Sequence, residues 1–160
     1  MSSSFAPPSL GPTHGTRYEF RGATLDAPRD WTEDSMFSVS APGPRPQPMI
    51  TLVRTTVPVD MTLELFAARR VADLSKIVAQ LQVVESKEVT FGGQRGMQLR
   101  LFWEELEGRV FQRLVVTRSQ DAMFVLSLNC FEAQLSRAQP VFESAMASFK
   151  LPPLPLGASR

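Results

Sequence analysis

The sequence predicts an α+β chain: an antiparallel sheet of about six strands with two helices packed on one face. Three observations predict it. Apolar, β-branched runs over residues 83–130 are separated by short turns, the pattern of an antiparallel meander. Two stretches, one after residue 60 and one over Ser136–Ser148, carry apolar residues at helical spacing. The chain has 160 residues and 43% hydrophobic content, enough for one domain with a real core.

The elements follow in order. Residues Arg17–Leu25 give one or two short strands, and Ala27–Trp31 is a turn with an aromatic anchor. Met36–Ser40 is a short strand. Pro42, Pro44, Pro46 and Pro48 make Ala41–Pro48 a loop, because proline cannot donate to a strand ladder. Met49–Val57 is the next strand. Asp60 is the expected N-cap of the first helix, and Glu64 suits the positive end of its dipole. Leu63, Phe66/Ala67, Val71, Leu74, Ile77/Val78 and Leu81 form its apolar stripe, with Arg70 beside it. Val83–Phe91 and Gln94–Trp103 flank Gly92-Gly93, a tight-hairpin dipeptide. Glu104–Gly108 is a polar turn into Arg109–Thr117, and Ser119–Asp121 turns into Met123–Cys130. Pro140 is expected in the first turn of the last helix, where its missing N–H costs little. Ala138, Val141/Phe142, Ala145 and Phe149 form that helix's inner face.

The expected organisation is a flexible Pro/Ser/Gly-rich leader over 1–16, one α+β domain over 17–151, and a Pro-rich tail over 152–160. Within the domain, Leu114-Val115-Val116 and Met123-Phe124-Val125-Leu126 are apolar on both faces of their strands. A sheet with one wet face alternates apolar and polar residues instead. With both helices on one face, the second face needs a long loop, a dimer partner or a ligand over it.

Composition narrows the function. The 17 Lys+Arg and 16 Asp+Glu nearly cancel, leaving +1. A nucleic-acid or anionic-membrane partner would favour a basic excess. The single cysteine, Cys130, lies in an apolar run and has no partner for a disulfide. The single histidine, His14, lies in the leader and cannot be placed beside it as a base. Gly92–Gly96 precedes a strand pattern, so it reads as a hairpin turn and not a phosphate loop. Glu104, Glu105 and Glu107 read as a solvated turn. Asp34-Ser35 has no base placed to activate the hydroxyl. No catalytic or metal constellation is recognisable, and no cofactor is called for. Met1–Thr16 has neither the basic start nor the apolar run of a secretory signal. No stretch approaches the roughly 18–20 apolar residues that cross a bilayer. The expectation is a cytoplasmic, non-catalytic protein that binds another polypeptide.

The Pro–Trp turn, then Asp34-Ser35-Met36-Phe37, then a strand ending ITLVR at Arg54, resembles the DcrB-related family. The order continues through the helix after Met61-Thr-Leu-Glu, the Gly92-Gly93 turn with Arg95-Gly96-Met97, and the acidic hairpin after Trp103. Phe111-Gln112-Arg113 and the closing Ser148-Phe149 complete it. The resemblance spans about Tyr18–Leu151 and implies a Mog1/PsbP-like fold. Among such proteins, those lacking a signal resemble Eag-type chaperones of type VI secretion. That likeness implies a cytoplasmic homodimer holding the apolar, transmembrane-like segment of an effector on a concave sheet face, without stable membrane insertion. Carried over by position, the groove residues are Met36, Ser38, Thr51, Val53 and Gln112, together with Arg70, where the family often has glutamine. A one-residue slip in register would replace the strand set by Phe37, Ile50 and Leu52. The alternative is a Mog1-like regulatory module with a soluble protein partner.

Overall fold

The computed structural model describes residues 16–20, 23–27 and 35–151. The leader up to residue 15, the turn at 28–31 and the tail over 152–160 lie outside them. Two compact units are distinguished, Met1–Glu33 and Asp34–Arg160. In the first, β1 (Thr16–Phe20) pairs antiparallel with β2 (Ala23–Ala27), Thr16 standing opposite Ala27.

The second unit runs β3 (Ser35–Ser40), β4 (Met49–Thr56), α1 (Leu63–Ser75), β5 (Ala79–Phe91), β6 (Gln94–Glu105), β7 (Gly108–Ser119), β8 (Ala122–Phe131) and α2 (Leu135–Ser148). Its six strands form one sheet in the order β3-β4-β8-β7-β6-β5, and every neighbouring pair is antiparallel. The chain crosses from β4 to the far edge at β5 through α1, then returns as a meander to β8 beside β4. At the β5–β6 turn, Gly92 and Gly93 have φ of +62° and +80°, which side-chain-bearing residues rarely adopt. A Cβ on Gly92 would also lie 2.9 Å from the Phe149 ring.

The α+β class, the six-stranded antiparallel sheet and the two helices are as predicted. The placement of the helices is not. Leu114 and Val116 of β7, with Met123 and Val125 of β8, pack with Leu63 and Ala67 of α1. The alternate residues Phe111, Val115, Leu126 and Leu128 pack with Ala138 and Phe142 of α2. Successive strand residues point to opposite faces, so the helices cover opposite faces. The second cover that the doubly apolar strands require is supplied by α2.

Two local details also differ. The N-cap of α1 is Thr62, whose hydroxyl accepts from the Leu65 amide at 3.1 Å, and not Asp60. The helix ends at Ser75, with Lys76 as its C-cap. Val78 and Leu81 still pack against the core, but from the backbone entering β5, so their spacing imitates a longer helix. The last helix starts at Leu135, which puts Pro140 in the second turn. There its missing N–H forgoes one intrahelical bond.

Arg113 fastens α2 to the sheet. This residue is buried, and its Nε donates to Gln98 Oε1 at 2.9 Å. Its Nη1 donates to Glu143 of α2, and its guanidinium lies 5.1 Å from the centre of the Phe142 ring. Phe142 is fully buried. Phe142→Ala should cost about 3–5 kcal/mol in urea unfolding. A loss under about 1 kcal/mol would show that α2 is not part of the cooperative core.

Candidate functional site

Helix α1 lies mainly over β5, β6 and β7. On the same face, none of the helices among the described residues lies over the β3–β4–β8 side of the sheet. Register divides that strip into rows running across the strands. Met36 stands opposite Val53, which stands opposite Val125. The next row is Ser38, Thr51 and Ser127. The third is Ser40, Met49, Asn129 and Gln112. A row of short hydroxyl side chains thus lies between a Met/Val row and a Met/amide row.

The polar groups of the strip largely satisfy one another. Ser38 Oγ and Thr51 Oγ1 are 3.0 Å apart. Gln112 Nε2 donates to Asn129 Oδ1 at 2.7 Å. Among the described residues, the Gln112 carbonyl oxygen and the Asn129 amino group have no further side-chain partner, leaving an acceptor oxygen and free N–H donors on offer. Exposure varies along the strip. Met36 is 71% exposed and Met49 37%, whereas Thr51 and Ser127 are buried at 7% and 9%. Val53 is half-buried and packs against the α1 core. Beyond the third row, a depression of about 600 Å³ continues between Trp103, Val110 and Phe131 and the proline loop at Pro42–Gln47.

Five of the six residues singled out from sequence therefore share one face: Met36, Ser38, Thr51, Val53 and Gln112. The slipped set lies on the other face, where Ile50 and Leu52 pack beneath α2. Arg70 stands apart. It follows Leu63 by seven residues and Ala67 by three, which points it inward by helical spacing, yet it is exposed. None of the ion pairs among the described residues includes it. Sequence reasoning missed Ser127 and Asn129. The signal was present: within the apolar run of β8, its two polar residues are two apart and share the face of Met123 and Val125.

A family model for DcrB matches residues 22–148. The chain belongs to the DcrB family. A comparison with curated proteins finds no match. Among solved structures, the chain is similar to PA94 of Pseudomonas aeruginosa, a protein of unknown function, with a TM-score of 0.69 and 20% identity over 88% of this chain and 99% of that one. It is also similar to the cyanobacterial PsbP of Synechocystis sp. PCC 6803, with a TM-score of 0.50 and 16% identity over 92% of this chain and 98% of that one. LpqN of Mycobacterium tuberculosis, described as involved in cell envelope biogenesis, aligns with a TM-score of 0.49 and 17% identity over 78% of this chain and 87% of that one. The DcrB-family chain thus has a PsbP-like fold.

The chemistry of this DcrB-family chain is sparse where it is described. No cluster of three His, Cys, Asp or Glu residues is present among the described residues. Cys130 is buried and free, and burial pushes its thiol up to about 11. Burial disfavours the thiolate, so the group stays protonated, and weakly nucleophilic, at any pH well below 11. The Glu64 carboxyl is held below its ordinary value, chiefly by the hydrogen bond it accepts from Arg95. Arg95 also binds Glu88, which ties the start of α1 to the β5–β6 hairpin. At pH 8, native protein should therefore fail to react with Ellman's reagent over the minutes in which urea-unfolded protein reacts fully. Rapid labelling of the native state would show that Cys130 is accessible and ionisable.

Proposed function

We propose that the chain is a non-catalytic chaperone or adaptor that holds an apolar, transmembrane-like segment of a type VI secretion effector before export. In this reading it works in the cytoplasm, as a homodimer. The observation that carries it is the strip beside α1, where apolar side chains flank a row of short hydroxyls. Its outer rows are four residues apart along each strand, about 13 Å at 3.2–3.4 Å per residue. That spacing accommodates a helix about 10 Å across. A client helix laid along the hydroxyl row would touch Met36 and Val53 on one side and Met49 on the other. Each Å² of apolar surface buried there contributes about 25 cal/mol. The methionines adapt to clients of varied shape, and the Gln112–Asn129 pair offers a donor and an acceptor to a polar group of the client.

The test is co-expression of the tagged protein with candidate effectors, followed by capture of each effector with and without its apolar N-terminal segment. Capture that depends on that segment supports the reading. Capture of a soluble partner independent of any apolar segment would favour the Mog1-like module instead. Met36→Asp should abolish capture and leave the fold intact by circular dichroism, because Met36 is mostly exposed. Val53→Asp is a poorer probe. Val53 packs against the core, so the carboxylate should also cost stability, by about 1–3 kcal/mol. Undiminished capture by Met36→Asp would sink the proposed strip.

A further inference from the structure

On the face of the sheet that carries α2, a cleft of about 380 Å³ opens between that helix and the β3–β4 edge. Leu128 and Ala138 form its floor, with Val39 and Ile50 on one side and Val141 on the other. Val39 is 47% exposed and Val141 59%, so the two walls do not close on each other. Hydrogen bonds tether the start of α2 to the proline loop and so fix the spacing of the walls. Gln134 Nε2, just before α2, donates to the Pro46 carbonyl at 3.1 Å. Arg137 Nη2, on α2, donates to Gln47 Oε1 at 2.7 Å. The proline loop carrying these acceptors is closed by the Ala41 amide donating to the Pro48 carbonyl at 2.9 Å. The slot is therefore preformed, and its size and apolar lining are those of a small-molecule site.

The charge in this slot decides the ligand. Among the described residues, Arg137 is the one charged residue of the lining. Among the described residues its guanidinium meets neutral Gln47 and no carboxylate. A cation without an anionic partner, set at an apolar cleft, complements a molecule with an apolar body and one anionic end. We propose that this cleft binds an acyl carboxylate of medium chain length, with the alkyl chain along Leu128 and Val141 and the carboxylate at Arg137. The site lies on the opposite face from the candidate client strip, so it stands or falls separately.

The test is titration of the full chain with sodium decanoate below its micelle concentration, followed by calorimetry and by methyl-resolved NMR. One saturable site is expected, with shifts at the methyls of Val39, Ile50, Leu128 and Val141. Each buried methylene tightens binding about fourfold, so hexanoate should bind far more weakly. Arg137→Gln should weaken decanoate about tenfold and leave decanol unaffected. Val141→Asp, at an exposed position, should abolish decanoate binding in protein that keeps its circular dichroism spectrum. The proposal fails if decanoate does not saturate, or if the shifts map to Met36 and Met49. It also fails if decyltrimethylammonium binds as well as decanoate, or if Arg137→Gln changes nothing. Tighter binding of acetyl-Ala-Leu-Phe with a free carboxylate would overturn it in favour of a peptide C-terminus.

Discussion

Two strands at the centre of the sheet set the terms for everything else. β7 and β8 are apolar on both faces, with Val115, Val116, Met123 and Leu128 almost completely buried. Leaving either face wet would forgo about 25 cal/mol for each Å² of apolar surface exposed. Each face therefore receives a helix, α1 on one side and α2 on the other. One helix is narrower than six strands, however, at about 10 Å against strand spacings of about 4.8 Å. Neither helix reaches the β3 edge of its face. The strip beside α1 and the cleft beside α2 are both consequences of that shortfall.

The polar groups on the α2 face show how the fold tolerates charge beside its core. Arg113 is buried but is met by Gln98, Glu143 and the Phe142 ring. Gln98 in turn donates to Glu85 at 2.6 Å, whose carboxyl is held below its ordinary value first by Lys87. The chain of partners thus runs from a buried guanidinium to an exposed lysine. A buried cation without such partners would be strongly destabilising. This network also crosses from sheet to helix, so it fixes where along β7 the helix sits, which apolar packing alone specifies weakly.

Much of this architecture was legible in the sequence. The strands, the hairpin at Gly92-Gly93 and the shared face of Met36, Ser38, Thr51 and Val53 follow from turn chemistry and a period of two. The face chosen by α2 was not legible. Ala138, Phe142 and Phe149 describe the same inward stripe whichever side the helix lands on. The end of α1 was misjudged for a related reason. Leu74, Val78 and Leu81 all turn toward the core, but the last two do so from the backbone leading into and through β5, where spacing alone cannot separate the two conformations. Ser127 and Asn129 sit in a run whose apolar residues fill both faces, so no polar/apolar alternation marks a wet face there, although their two-residue spacing places them on one face.

The strip beside α1 is not uniformly indifferent to what covers it. Ser38 and Thr51 bond to each other, so an apolar surface laid over them would orphan little. The third row is different. Gln112 and Asn129 spend one donor and one acceptor on each other and present the rest to solvent. Burying those groups beneath a purely apolar surface would cost about 1–3 kcal/mol for each one left unsatisfied. Covering the Met36–Val53 side of the strip is thus favourable for almost any hydrophobic surface. Covering the Gln112–Asn129 side is favourable only for a surface that brings a hydrogen-bonding group to that row. The strip combines a permissive apolar half with a selective polar half, and the step from one to the other falls across the hydroxyl row between them.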